Sequence, residues 1–169
     1  MNSAATHNRL AELRLVAFDV DGVFTDGRFY LSDDGVESKA FNTQDGFGIR
    51  RLIGAGFEVA VISGRRSAAT AKRMAELGVP HVILGSADKV AAFDELIARL
   101  GIDAIECAYA GDDVPDLPLL DKVGYSIAVA NAVEAVRDFC DYTTMAPGGH
   151  GAVREICDLV LAARPEGGA

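Results

Sequence analysis

Short apolar runs recur along the chain, each closed by glycine or a polar residue. The clearest are residues 15–18, 57–62, 81–84, 106–110 and 125–129, with a shorter run at 142–144. Continuous rather than alternating apolar runs suit strands buried on both faces. Between them, apolar positions fall at helical spacing. Helices are predicted over 47–55, from 63–66 through 77, over 88–100, 132–139 and 152–163. Glycines close several of them, as at Gly54, Gly56 and Gly78. Strands alternating with helices imply βαβ units, and hence an α/β fold with a doubly wound parallel sheet. Residues 27–41 break the pattern. There Phe29 and Leu31 alternate with other residues and the turn signal lies at Ser32–Gly35, which predicts a β-hairpin. An ordinary edge hairpin on one side, and a flap, a small cap or an oligomer edge on the other, fit that stretch about equally.

The 169 residues predict one domain over 13–163, a polar leader over 1–12 and a loose tail over 164–169. Residues 1–14 contain no apolar stretch of signal-peptide type, and no run is long enough to span a bilayer, so a cytoplasmic location is expected, with no membrane partner. The three cysteines show no metal-ligand spacing and read as reduced core thiols. A net charge of -9 disfavours nucleic acid. An acidic protein still binds an anionic substrate if cations gather at the site.

The strand ends supply such a gathering. In a doubly wound sheet, ligands sit beyond the carboxyl ends of the strands. Asp19 and Asp21 follow the first strand, Ser63 and Arg65 the second, Lys89 the third, and Asp112 and Asp113 the fourth. Taken alone, Asp19 and Asp21 read more simply as a turn cap beside a solvated carboxylate. Set beside the other strand ends, they fit phosphate ester hydrolysis. Asp19 and Asp112 suit a hard divalent cation such as magnesium, which prefers oxygen ligands. An aspartate can attack phosphorus, and Asp21 can protonate the leaving oxygen and then activate water. Ser63 can hydrogen-bond a phosphoryl oxygen and Lys89 neutralise another.

These residues carry a family resemblance. Asp19-Val20-Asp21-Gly22-Val23-Phe24-Thr25, Ser63 after an apolar strand, Lys89 at a helix start, and Gly111-Asp112-Asp113 with Asp116 resemble, in order and placement, the four motifs of the haloacid dehalogenase superfamily. The segments Phe41-Asn42 with Asp45-Gly46 and Gly48-Ile49, and the late Gly148 to Arg154, are similar to the small-cap subgroup that contains 3-deoxy-D-manno-octulosonate 8-phosphate phosphatase.

The resemblance implies a magnesium-dependent phosphatase, acting through an aspartyl-phosphate in lipopolysaccharide precursor synthesis. It makes Asp19 the nucleophile and a metal ligand, Asp21 the acid/base and a ligand through its carbonyl, and Asp112 the remaining protein ligand. It places substrate contacts at Asn42, Thr43, Gln44, Asp45, Gly46, Arg50, Arg65, Arg73 and Lys89. Read without it, Arg50 and Arg73 are solvated helix residues. Asp113 and Asp116 either orient Lys89 and metal waters or cap a helix. The family further implies a homotetramer whose hairpins assemble together and whose sites are completed by neighbouring subunits. A nine-carbon sialic-type acid 9-phosphate is the alternative substrate, and a non-catalytic tetrameric scaffold the alternative role.

Overall fold

The computed structural model describes residues 8–164. Its first strand, β1 (Leu15–Phe18), is wholly buried. The chain then forms the hairpin β2 (Tyr30–Leu31) and β3 (Glu37–Ser38), followed by α1 (Thr43–Gly54), β4 (Glu58–Ser63) and α2 (Ala68–Leu77). Next come β5 (His81–Leu84), α3 (Lys89–Leu100), β6 (Cys107–Gly111) and α4 (Leu117–Leu120). It closes with β7 (Tyr125–Ala128), α5 (Glu134–Phe139), β8 (Tyr142–Thr143) and α6 (Ala152–Ala163).

Six strands form one sheet in the order β5-β4-β1-β6-β7-β8, every pair parallel. The chain winds outward from β1 to β5, then crosses back to β6 on the other side of β1. The switch in direction leaves a crevice at the carboxyl end of β1, flanked by β4 and β6. Leu15 to Phe18, Val59 to Ile62 and Cys107 to Ala110 have almost no exposed surface. The helices flanking the sheet cover both faces of its centre, which is why those runs are continuous rather than alternating.

The hairpin is a separate two-stranded sheet, and its turn is closed by Gly35 N–H donating to Ser32 O at 2.9 Å. Two helix starts differ from the sequence reading. α1 begins at Thr43, not at residue 47, because Asn42 caps it: Asn42 Oδ1 accepts from Gln44 N–H at 2.8 Å. α2 begins at Ala68, not at 63–66, because Ser67 Oγ accepts from Thr70 N–H at 3.3 Å. Gly64 to Arg66 therefore remain a loop at the mouth of the crevice.

Of the leader and tail, residues 1–7 and 165–169 lie outside the described residues. Residues 8–11 are helical, and Leu10 is buried. Arg9 donates to both oxygens of Asp141, at 2.8 and 2.9 Å, and to Gly124 O. Arg164 donates to Ala55 O at 2.5 Å and lies over the Phe57 ring. The sequence signal at both ends was an isolated arginine, which carries no information about its partner.

Candidate active site

A cleft of about 340 Å3 opens at the crevice, lined by Asp19, Asp21, Ser63, Arg65, Lys89 and Asp112, with Gly27, Gly64, Asp113, Pro115 and Asp116 at its margins. They arrive from the carboxyl ends of four strands, β1, β4, β5 and β6. Asp19 follows β1 and is pinned there by its N–H, which donates to Ala110 O at 2.9 Å. Ser63 ends β4, Lys89 is the first residue of α3, and Asp112 follows β6. Gly22 lets the loop after β1 pass close beside Asp112: at φ 90°, a Cβ there would overlap the Asp112 carboxylate.

Lys89 Nζ sits 2.9 Å from Asp19 Oδ1 and 2.7 Å from Asp116 Oδ1. Asp116 is fully buried, and all its capacity is used. Oδ1 accepts from Lys89 Nζ and from Tyr109 Oη at 2.6 Å, while Oδ2 accepts from the N–H groups of Asp112 at 3.0 Å and Asp113 at 3.3 Å. Burial first, and then the Asp116 charge, hold the Tyr109 phenol well above its ordinary pKa, so it stays a donor. Asp116 therefore orients Lys89 and the Asp112 loop. Asp113 caps the turn after β6, its Oδ1 accepting from Val114 N–H at 2.7 Å.

Among the described residues, Asp19, Asp112 and Asp116 form a group whose carboxylate oxygens lie within 4.8 Å of one another. Burial, partly offset by Lys89, pushes Asp19 up to about 6. Burial and the charges of Asp19, Asp116 and Asp113 push Asp112 up to about 7. Burial would pull Lys89 down, but Asp19 and Asp116 outweigh it and raise it. Three carboxylates thus crowd one ammonium, and an excess of buried negative charge on hard oxygen donors suits a divalent cation. With Asp116 committed to its own hydrogen bonds, Asp19 and Asp112 are the side chains left to hold one.

Asp21 points elsewhere. Its Oδ1 lies 2.5 Å from Lys39 Nζ and its Oδ2 3.5 Å from Arg65 Nε. Arg65 also donates to Glu37 Oε2 at 2.7 Å and stacks over Phe29 at 4.1 Å. The hairpin therefore closes one wall of the site through Phe29, Glu37 and Lys39. Sequence reasoning missed Lys39 and Glu37. Their signal was the strand period of two, which puts both on one face of β3 and its extension.

The expected substrate residues divide. Arg65 and Lys89 line the cleft. Asn42, Thr43, Gln44, Asp45, Gly46, Arg50 and Arg73 do not line it; they lie on α1, its cap and α2. Within this chain Asn42 is a helix cap and Asp45 a brace, with its Oδ1 accepting from Arg154 N–H at 2.8 Å. Asp45 thereby satisfies a donor at the start of α6, whose cap position, Gly151, has no side chain to do so. Arg50 donates to Glu76 O, and Arg73 lies beside Gly46 and 3.5 Å from Glu76. His81 is structural, 2.7 Å from Glu58 Oε2. No helix among the described residues is long and apolar enough to cross a membrane.

Comparison with known proteins agrees with this geometry. The profile of the haloacid dehalogenase-like hydrolases matches residues 81–156. The 3-deoxy-D-manno-octulosonate 8-phosphate phosphatase of Escherichia coli is 44% identical over 96% of this chain and 86% of its own length. That of Yersinia pestis is 46% identical over 92% of this chain and 83% of its own. The crystal structure of the Moraxella catarrhalis phosphatase, in complex with magnesium ion, phosphate ion and KDO, is similar with a TM-score of 0.93. It is 42% identical, and the alignment covers 96% of this chain and 94% of that one. The cobalt-bound form from Haemophilus influenzae is similar with a TM-score of 0.89 at 40% identity, covering 92% and 91% of the two chains.

Proposed function

The chain belongs to the haloacid dehalogenase-like hydrolases and, within them, to the 3-deoxy-D-manno-octulosonate 8-phosphate phosphatases, and from that premise we propose that it releases phosphate from the 8-phosphate of that eight-carbon sugar acid with the help of magnesium. It is a phosphoric monoester hydrolase. The observation that carries the mechanistic reading is the separation of two aspartates two residues apart. Asp19 faces Lys89 and Asp112, while Asp21 faces the hairpin.

In this reading Asp19 attacks phosphorus and the bond to the sugar oxygen breaks. Asp21 delivers a proton to that oxygen as it leaves, then takes one from the water that hydrolyses the aspartyl-phosphate. Ser63 and Lys89 hold phosphoryl oxygens, and Lys89 offsets their charge. Magnesium, held by the carboxylates of Asp19 and Asp112 and the carbonyl of Asp21, would neutralise the phosphate charge. The short hairpin leaves the cleft open to water, which favours hydrolysis over transfer to another acceptor.

Assembly belongs to the same proposal. The hairpin exposes Phe29, Tyr30, Leu31 and Val36, a surface that favours burial against another subunit. Arg50, Arg73 and residues 42–46 stand off this chain's cleft, which supports their completing a neighbour's site in a homotetramer. The free sugar acid would then feed lipopolysaccharide precursor synthesis in the cytoplasm.

The test is phosphate release from a panel of esters, with magnesium and with chelator. The panel holds the eight-carbon 8-phosphate, nine-carbon acid 9-phosphates and hexose phosphates. Magnesium-dependent preference for the eight-carbon acid is expected. Preference for a nine-carbon acid would move the substrate to the sialic type and keep the mechanism. No turnover on any ester would restore the scaffold.

A further inference from the structure

Lys39 is buried at a place where burial is costly. Its side chain is 1% exposed, and it lies one residue past the last paired position of the hairpin, Tyr30 with Ser38. A lysine so placed destabilises the fold unless its charge is met. It is met by Asp21 Oδ1 at 2.5 Å and, more distantly, by Glu37 Oε1 at 3.7 Å. Arg65 completes a set of two cations and two carboxylates, with Nε 3.5 Å from Asp21 Oδ2 and Nη2 2.7 Å from Glu37 Oε2. The charges balance, so the set is stable as it stands. An apolar residue at position 39 would have covered the same surface without needing a partner. The lysine has no hydrogen bond in the hairpin itself; the one it makes runs to the loop after β1.

The two oxygens of Asp21 are also unequal. Oδ1 takes the ammonium, while Oδ2 is buried, makes no hydrogen bond among the described residues and has Arg65 Nε 3.5 Å away. An aspartate at a loop surface ordinarily samples several rotamers. Holding one oxygen fixes the plane of the carboxyl group and leaves the other in one direction. We infer that Lys39 is a positioning residue: by holding Oδ1 it fixes the rotamer of Asp21 at the cleft wall, and it makes the hairpin part of the acid–base apparatus. The inference rests on the phosphatase reading above, because it needs Asp21 to act on the leaving oxygen.

Leaving-group chemistry separates this role from a structural one. An alkoxide must be protonated as it leaves, whereas p-nitrophenolate departs without help. A misaimed Asp21 therefore slows alkyl phosphates more than p-nitrophenyl phosphate. The experiment compares wild type, Lys39→Met and Lys39→Arg on p-nitrophenyl phosphate and on an alkyl ester, β-glycerophosphate or the eight-carbon 8-phosphate, with magnesium. For Lys39→Met, kcat on the alkyl ester should fall at least about tenfold, less than the roughly hundredfold or more that a lost general acid costs because Asp21 is misaimed and not removed, with KM little changed. The loss on the aryl ester should be several-fold smaller. Lys39→Arg, which can still donate to Oδ1, should recover part of the alkyl rate.

If Lys39→Met does not fold, as circular dichroism would show, Lys39→Gln takes its place and is read by the same ratio. Equal losses on the two esters, or an alkyl kcat within about twofold of wild type, would overturn the inference and leave the phosphatase reading intact. Wild-type protein inactive on both esters would overturn the reading and the inference together.

Discussion

Asp19 and Lys89 form a buried ion pair, Oδ1 to Nζ at 2.9 Å, that joins the end of β1 to the start of α3. Asp116 shares the same ammonium at 2.7 Å, so one lysine counterbalances two buried carboxylates. Both the fold and the proposed chemistry depend on it.

Replacing Lys89 by Met should therefore do two things. It leaves Asp19 and Asp116 buried without their cation, and breaking a buried pair this way costs about 3 kcal/mol or more. It also removes the charge proposed to hold the phosphoryl group. A lower urea midpoint at pH 7.5 in chelator, together with a kcat reduced about a hundredfold, is expected. An unchanged midpoint would show that Tyr109 and the backbone donors suffice to hold Asp116.

The pH dependence of the metal-free protein has a definite sign. Folded Asp19 and Asp112 are raised to about 6 and about 7 from an ordinary value of 3.8. Between those limits the folded state binds more protons than the unfolded state. The stability this contributes is complete below about 3.8 and is lost as pH rises through 6 and 7. Asp141, held low chiefly by Arg9 and Ser126 against its burial, contributes in the opposite sense, but only as pH falls below the ordinary range. Thermal melting in chelator should thus be higher at pH 5 than at pH 7.5, by about 5 °C. Asp112→Asn should flatten that difference, and magnesium should raise the wild-type midpoint at pH 7.5. The absence of a slope would mean that the carboxylates are solvated.

The glycine-rich segment before α6 braces the loop that carries Asp19 and Asp21. Gly148 N–H donates to Asn131 Oδ1 at 2.6 Å, Asn131 Nδ2 donates to Gly22 O at 3.3 Å, and Gly149 N–H donates to Val23 O at 3.1 Å. A Cβ on Gly148 would overlap the Gly22 carbonyl. Gly148→Ala should cost about 2 kcal/mol and lower kcat, because Gly22 in turn abuts Asp112. Gly54→Ala is the control. It has open space and ends α1, so it should be neutral or slightly stabilising. Equal effects of the two changes in denaturant melts would remove the bracing role.

Much of this was legible because the sheet is parallel. Buried runs such as residues 15–18 and 57–62 marked the strands, and polar residues that follow four of the runs line the cleft. Asp19, Ser63, Lys89 and Asp112 were found that way. The helix starts were misplaced where a cap outweighed the apolar spacing, as Asn42 and Ser67 show. The hairpin's share of the site was missed because Lys39 acts across a gap in sequence. Nothing local distinguishes a lysine that meets Asp21 from one that meets water. Asp116 showed the same ambiguity: its motif position was clear, but only its four donors decide between capping and orienting.

Arg73 tests assembly and substrate together. It stands beside Gly46 and does not line its own chain's cleft, so a catalytic effect of its loss has to reach a site through another subunit. If its guanidinium meets the carboxylate or hydroxyls of a sugar acid, Arg73→Ala should cut kcat/KM on that ester by about tenfold or more, as the loss of a charge-assisted hydrogen bond does. The rate on p-nitrophenyl phosphate should change much less. Subunits bearing Arg73→Ala can then be mixed, by unfolding and refolding together, with subunits bearing Asp19→Asn. Each parent lacks one half of a working site. A shared site regains activity on the sugar acid ester in the mixture, because an intact Asp19 cleft meets a neighbour's intact Arg73. No gain over the parents, with mixed oligomers present by mass, would place Arg73 outside any neighbouring site.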